Sequence, residues 1–329
     1  MIDFPAKPQL TLVMNGKAWP HHFTSVEEEY QALTNRVSLL NFEHLEWIRM
    51  RGSDVVSFLQ GMVTQNVPGI EINHSQSAFL LDSGGKIVTM IRIFRFEEEL
   101  FLLQTEPGES QKVYEQLDKY LITEDVEMSL APDLTCVSFQ GPETLRFAQK
   151  WGEPGQLWMN HDRCGLGGFD MICPNNAVPT LSLVFAEMGA TPTGMAALDQ
   201  VRMESFLPWY GRDMEPGRNP LIYGVGGRVS FDKGCYVGQE TVAKTRDRGR
   251  PPQLMVRLRS DGENLPRFNT PLTRDDKEVG VITSAVYSPK YEGPLALGLV
   301  SFKLAEAQQQ FIDHNGQLWT IDQVSDYRN

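Results

Sequence analysis

Residues 249–253 read Gly-Arg-Pro-Pro-Gln, and two consecutive prolines can continue neither a helix nor a central strand. The chain divides there, and its character differs on the two sides. Downstream, LMVRLRS, EVGVITSAVYS and PLALGLVSF are strand-like, and Asn315–Gly316 supplies a hairpin turn. These segments predict a separate all-β domain, a small barrel, over residues 254–329. Upstream, helical and strand patterns mix over residues 1–248, which predicts an α+β region.

Within that region, Thr24 or Ser25 opens a helix with Glu27 and Glu28 behind it, a capping-box pattern. Leu45–Arg51 reads as a strand, and Asp54 starts a short helix that Gly61 is expected to end. Ser77–Leu81 and Lys86–Phe96 flank a DSGG turn as a hairpin, and Leu100–Gln104 adds a strand. Helices are expected over Ser110–Leu121, from the first turn that holds Pro142, and over Thr180–Met188 and Met195–Phe206. Cys136–Gln140 is read as a strand, and His21–His22 as a pair in a loop.

A chain of 329 residues can bury a large core without metal or disulfide staples. Its four cysteines, at 136, 164, 173 and 235, form no CxxC pair, which argues against a zinc ribbon or a thioredoxin-type site and fits a reducing compartment. The net charge of −12 argues against wholesale or sequence-specific nucleic-acid binding. Against that average, Thr241–Arg259 carries Lys244, Arg246, Arg248, Arg250, Arg257 and Arg259 with Asp247 as its one acid. Such a patch suits a small anionic ligand, or is simply a solvated loop. No apolar run approaches ~18 residues, and MIDFPAKPQL lacks an apolar leader segment, so a cytoplasmic protein off the membrane is expected.

The run Lys233-Gly-Cys-Tyr-Val-Gly-Gln-Glu240 is the segment most suggestive of chemistry. Two glycines flank a Cys-Tyr pair, and a helix-forming stretch follows, so Cys235 is expected on a shaped loop near a helix start. A neighbouring Lys233 and a helix N-terminus would both favour its thiolate. A structural turn with an inert cysteine has the same appearance. His161 and His44 are conceivable bases for Cys235, although no spacing points to either.

KGCYVGQE resembles the signature of the YgfZ family, homologues of the glycine cleavage T-protein (aminomethyltransferase). Three further segments resemble that family in its order. They are EYQALTNRVSLLNFEHLEWIRMRGSDVVSFLQGMVTQNV, with Asn66 where aspartate is common, LLDSGGKIVTMIRIFR, and LDQVRMESFLPWYGRDM. The resemblance covers about residues 27–250 and implies a T-protein-like ring of domains around a central folate pocket, with two interleaved α+β subdomains over residues 1–248. It implies tetrahydrofolate or a one-carbon derivative as cofactor, with iron–sulfur client enzymes or assembly factors as partners. It further implies Trp47, Glu204, Arg212, Arg228, Lys233, Tyr236 and Gln239 at the cofactor, Cys235 in a catalytic role, and no metal. A pterin edge presents two donors side by side, which a carboxylate such as Glu204 answers with two hydrogen bonds. Arg212, Arg228 and the 244–250 patch are candidates for the folate carboxylates.

Three further positions depart from the pattern. Leu198 stands where a second folate-associated tryptophan is expected. Val88 and Thr89 stand where T-proteins carry an acidic pair, and a neutral pair cannot serve as a carboxylate base. The resemblance therefore implies a folate-binding accessory protein for iron–sulfur enzymes, including those that modify tRNA. The alternatives are a folate-dependent one-carbon transferase or demethylase, and a cysteine-nucleophile enzyme without folate.

Overall fold

The structure, a computed structural model, describes residues 7–14, 16–151 and 158–328. Residues 1–6, part of the segment read above for a leader, lie outside them. In chain order the elements are β1 (Leu10–Met14), β2 (Lys17–His22), α1 (Val26–Asn35), β3 (Ser38–Asn41), β4 (Glu46–Arg51), α2 (Val55–Met62), β5 (His74–Leu81), β6 (Ile87–Glu97) and β7 (Leu100–Thr105). There follow α3 (Ser110–Asp118), β8 (Glu127–Leu130), β9 (Leu134–Gln140), α4 (Thr144–Trp151), β10 (Trp158–Asn160), β11 (Gly168–Pro174), α5 (Val178–Glu187), β12 (Thr191–Pro192), α6 (Met195–Glu204) and α7 (Gln239–Asp247). The last six strands are β13 (Gln253–Arg259), β14 (Thr270–Arg274), β15 (Lys277–Ser288), β16 (Gly293–Ser301), β17 (Gln310–Ile312) and β18 (Leu318–Val324).

The chain forms two compact units. The first comprises residues 1–60, 67–78 and 90–201; the second comprises 61–66, 79–89 and 202–329. The tip of the β5–β6 hairpin thus belongs to the second unit and its base to the first. Residues 202–253 group with the C-terminal strands rather than with the region upstream.

The first unit is built on a sheet in the order β12-β3-β9-β11-β10-β5-β6-β7-β4-β8, with β1 and β2 paired separately. Alternation along β9 sorts side chains between two layers. Val137 and Phe139 join Leu39, Phe147, Trp158, Met171 and Phe185 in an apolar core that includes α4 and α5. The intervening Cys136, Ser138 and Gln140 meet a buried polar layer. There Arg163 donates to Asp170 (Nε–Oδ1 3.0 Å) and to Gln104 (2.9 Å), and Arg92 pairs with Glu106 at 3.1 Å. These charges are each compensated, as burial demands.

Ser25 caps α1, accepting from the Glu28 amide at 3.2 Å, as the capping-box pattern predicts. Two expectations are corrected. His21 and His22 lie in strand β2, not a loop; the pairing with β1 places them. Gly61 does not end α2, which runs on to Met62. A glycine costs a helix about 1 kcal/mol, and here the Gly61 carbonyl also accepts a distant amide, that of Val237, at 3.1 Å.

In the second unit the six C-terminal strands close into a barrel in the order β13-β16-β15-β14-β17-β18, with β18 pairing back onto β13. Leu254, Val256, Leu258, Leu272, Ile282, Val300, Phe311 and Trp319 fill it. Closure removes the exposed sheet edge that an open sheet would present. Among the described residues, no helix is long and apolar enough to cross a membrane.

Candidate functional site

The LDQVRMESFLPWYGRDM segment is organised by an ion pair inside the second unit. Arg202, in the last turn of α6, donates to Asp213 Oδ2 at 2.7 Å, and both residues are 1% exposed. Asp213 also accepts from the Trp209 amide (2.9 Å) and from the hydroxyls of Thr283 and Ser284 (2.6 Å each) on β15. Burial opposes ionisation of Asp213, but Arg202 and the two hydroxyls outweigh it and hold the carboxyl below its ordinary range. The arginine and aspartate of this motif thus fold the 205–213 turn.

Glu204 is buried at 6% and follows Ala197 and Val201 along α6. Its Oε1 accepts from the Ser288 hydroxyl and from the Lys290 amide at 3.2 Å. Arg257 donates to the Glu204 main-chain carbonyl (2.6 Å) while its other nitrogens pair with Asp322. A carboxylate offers about four acceptor directions, two on each oxygen, and both of these bonds fall on Oε1.

A strap at residues 61–66 holds the glycine-rich segment that follows Tyr223. Thr64 Oγ1 donates to the Arg228 carbonyl (2.6 Å), the Gln65 side chain donates to the Gly227 carbonyl, and the Ser230 amide donates to the Thr64 carbonyl (2.8 Å). The cysteine loop is tied to the same strap. Lys233 Nζ donates to the carbonyls of Val63 (2.6 Å) and Gln65 (2.8 Å), just past the C-terminus of α2. Burial pushes the Lys233 amine down to about 8. Its bonds therefore run to the strap, whereas the sequence suggested a charge directed at the thiol.

Cys235 is exposed, and the other three cysteines are buried. Helix α7 starts at Gln239, four residues on, after Gly238 as its cap, so Cys235 precedes the first turn rather than sitting in it. Tyr236 is 8% exposed, its ring 4.9 Å from Lys233 Nζ, and burial pushes its hydroxyl up to about 12. Gln239 is half-buried. Arg212 is half-buried in the 209–214 turn, and Arg228 lines a cavity of about 260 Å³ with Phe206, Tyr223, Gly226 and Met255. Phe206 is held at φ 57°, a costly conformation for a residue with a Cβ.

In the first unit, Trp47 on β4 is 2% exposed, packs against Phe94 (5.4 Å between ring centroids) and leaves its indole nitrogen without a hydrogen-bond partner. Leu198 is fully buried. His161 lies 2.7 Å from Ser75 Oγ, and burial, with Arg163 beside it, pushes it down to about 3. His44 lies 2.8 Å from the Ala18 carbonyl. In the basic patch, Lys244 pairs with Glu240 and Arg246 with Asp247, and Arg246 lies 4.1 Å from the Phe231 ring centroid. Among the described residues, no three His, Cys, Asp or Glu side chains gather as a metal site.

Burial pushes Cys136 well up, Cys164 to about 12 and Cys173 to about 11. Since the thiolate is the nucleophile, Cys235 is expected to alkylate orders of magnitude faster than the other three at neutral pH. Peptide mapping after timed iodoacetamide labelling reads this directly; comparable rates at all four would contradict it.

Thr64, Gln65 and Ser288 escaped the sequence reading as structural partners of the site. Thr64 and Gln65 fall within the quoted FLQGMVTQNV stretch, which was the available signal; Ser288 carried none.

Residues 8–160 match the GCVT N-terminal domain and residues 253–326 match the glycine cleavage T-protein C-terminal barrel domain. The chain thus has the domain make-up of a glycine cleavage T-protein, with mixed α/β elements followed by a closed six-stranded barrel. Among solved structures it is similar to the glycine cleavage system aminomethyltransferase T from Bartonella henselae. The TM-score is 0.86, with 20% identity over 95% of this chain and 93% of that one, which establishes the fold. Relatives include the aminomethyltransferase of Desulfitobacterium hafniense, 27% identical over 316 residues, covering 88% of this chain and 86% of that protein. The aminomethyltransferase of Halalkalibacterium halodurans is 26% identical over 322 residues, covering 91% and 88% respectively.

Proposed function

We propose that this chain binds tetrahydrofolate or a one-carbon derivative and acts as an accessory protein that maintains iron–sulfur enzymes, tRNA-modifying ones among them, through Cys235. The observation that carries the reading is the loop 233–238. It presents an exposed cysteine and is tied to the 61–66 strap through Lys233 and through the Val237 amide on the Gly61 carbonyl. The T-protein fold and both matched domains support folate as the ligand class. Glu204 is assigned the pterin edge, and Arg228, Arg212, Lys233, Tyr236 and Gln239 remain the accompanying candidates. When bound, the folate would supply one-carbon chemistry. The chain's own contributions are the carboxylate of Glu204, which orients the ring, and the thiol of Cys235.

Calorimetric titration with tetrahydrofolate, beside other small anions, tests the ligand. Complementation of a strain lacking the gene tests the role. Cys235→Ser is expected to fold normally, because an exposed loop position loses little packing, and to fail in complementation. Full complementation would end the proposal for Cys235.

The second reading, aminomethyl transfer, is favoured by the names of the relatives and by the length over which they match. Against it stands the hairpin 82–90, where Asp82 is the only acid and serves the turn, accepting from the Lys86 amide at 2.9 Å. Val88 and Thr89 cannot steady a developing cation as a carboxylate does. With aminomethylated lipoyl carrier protein and tetrahydrofolate, the purified protein is expected to produce no methylene-tetrahydrofolate above background. Robust production would install the second reading.

A further inference from the structure

The DSGG turn and the cysteine loop meet backbone to backbone within the second unit. Gly85 has φ +74°, and a Cβ placed on it would lie 2.7 Å from Thr241 Cβ and 2.9 Å from the Gly238 carbonyl oxygen. Gly238 has φ +81°, and its Cβ would lie 2.5 Å from the Asp82 carbonyl oxygen and 2.9 Å from Gly85 Cα. Each glycine therefore occupies the space that a side chain on the other would need, and each adopts a backbone angle that L side chains resist. The hairpin tip is itself fixed. The Ile87 amide donates to the Arg218 carbonyl (2.9 Å), the Gly217 amide donates to the Ile87 carbonyl (2.7 Å), and the turn closes through Gly85 N to Asp82 O (2.9 Å).

The other end of the loop is fastened by Lys233 on the carbonyls of Val63 and Gln65. Between the two fastenings, Gly234 has open space where a Cβ would stand, and Cys235 is exposed. A short segment held at both ends has few ways to place what lies between them.

We infer that Gly85 and Gly238 form an interlocked seat that, with Lys233 at the far end, sets the position of Cys235, so that the DSGG hairpin is a positioning element for the cysteine. The significance of Cys235 rests on the proposed function; the seat itself does not.

The experiment compares Gly85→Ala and Gly238→Ala with Gly84→Ala, the neighbouring glycine of the same turn. A Cβ on Gly84 meets only the end of the Asp82 side chain, at 3.2 Å. The readouts are the alkylation rate of Cys235 against pH and thermal unfolding of the full chain. Gly85→Ala and Gly238→Ala are expected to change the Cys235 rate, or shift its pH midpoint, by about fivefold or more, while Gly84→Ala stays within about twofold. If either seat variant fails to fold, Lys233→Met, which loosens the far end without a clash, is measured in its place with the same fivefold expectation. Gly85→Ala combined with Thr241→Gly removes the Thr241 contacts and is expected to move the rate back towards wild type. Folded seat variants, or Lys233→Met, with rates within twofold of wild type would overturn the inference. These rates need no folate and no client enzyme. A wild-type rate in Gly85→Ala therefore defeats the seat alone, whereas a complementing Cys235→Ser defeats the proposed role alone.

Discussion

Asp213→Asn lowers the stability of the protein by roughly 3–5 kcal/mol, the cost of breaking a buried pair by removing one partner. The substitution keeps the shape of the side chain and removes its charge. It removes the carboxylate that Arg202, 1% exposed, donates to, and it turns an amide donor towards groups that now donate to that carboxylate. Because Asp213 titrates below its unfolded value in the folded protein, its contribution is fully present above that value and is lost as pH falls through the folded one. Urea unfolding at neutral pH measures the difference. Replacing both partners, Arg202→Met with Asp213→Leu, is expected to recover much of the loss, because neither charge of the pair then stands buried without the other. An unfolding midpoint unmoved by Asp213→Asn would show that the pair does not hold the 205–213 turn.

Glu204→Gln weakens tetrahydrofolate binding by on the order of 2–3 kcal/mol, roughly 30- to 150-fold in Kd. The amide replaces one acceptor with a donor where the pterin edge presents donors of its own, so a charge-assisted bond is lost and a repulsive contact takes its place. Because Glu204 Oε1 also receives Ser288 Oγ and the Lys290 amide, part of the effect could pass through the β15–β16 turn. Ser288→Ala separates the two: it removes one anchor and keeps the carboxylate, and its Kd is expected within about threefold of wild type. A Glu204→Gln protein that binds within twofold of wild type would take Glu204 out of the ligand site.

Much of the fold was legible because it is local. The Ser25 cap and the DSGG hairpin each lie within a handful of residues, and the structure carries both; Pro251–Pro252 separates α7 from β13 but lies inside one compact unit. The five-residue β14 was not read, whereas the long barrel strands β13, β15 and β16 announced themselves by length. Short strands did not: β3, β8 and β10 span four, four and three residues, too few for a period to register. Gly61 missed the helix end by one residue: α2 stops at Met62, and the Gly61 carbonyl, one of its last acceptors without an intrahelical donor, takes the Val237 amide. The candidate site was legible in its residues and illegible in its wiring. Lys233 was read as a charge beside a thiol, yet its partners stand at 63 and 65; Glu204 was read as a ligand contact, and its bonds run to 288 and 290. No spacing rule reaches across separations of that size, since such pairs exist only once the strands have closed.

The composition of the second unit bears on how the chain is born. Residues 61–66 and 79–89 belong to it, yet the rest of the unit begins at Arg202. On a ribosome adding about 5–20 residues each second, those two early segments emerge on the order of ten seconds before the partners that will enclose them. Thr64, Gln65 and Gly85 must wait through that interval, until residues 217–241, which hold them, have been made. Synthesis of residues 202–329 alone would yield a unit short of its own strap and hairpin tip. A split of this protein into independently expressed halves has no cut site that respects both units.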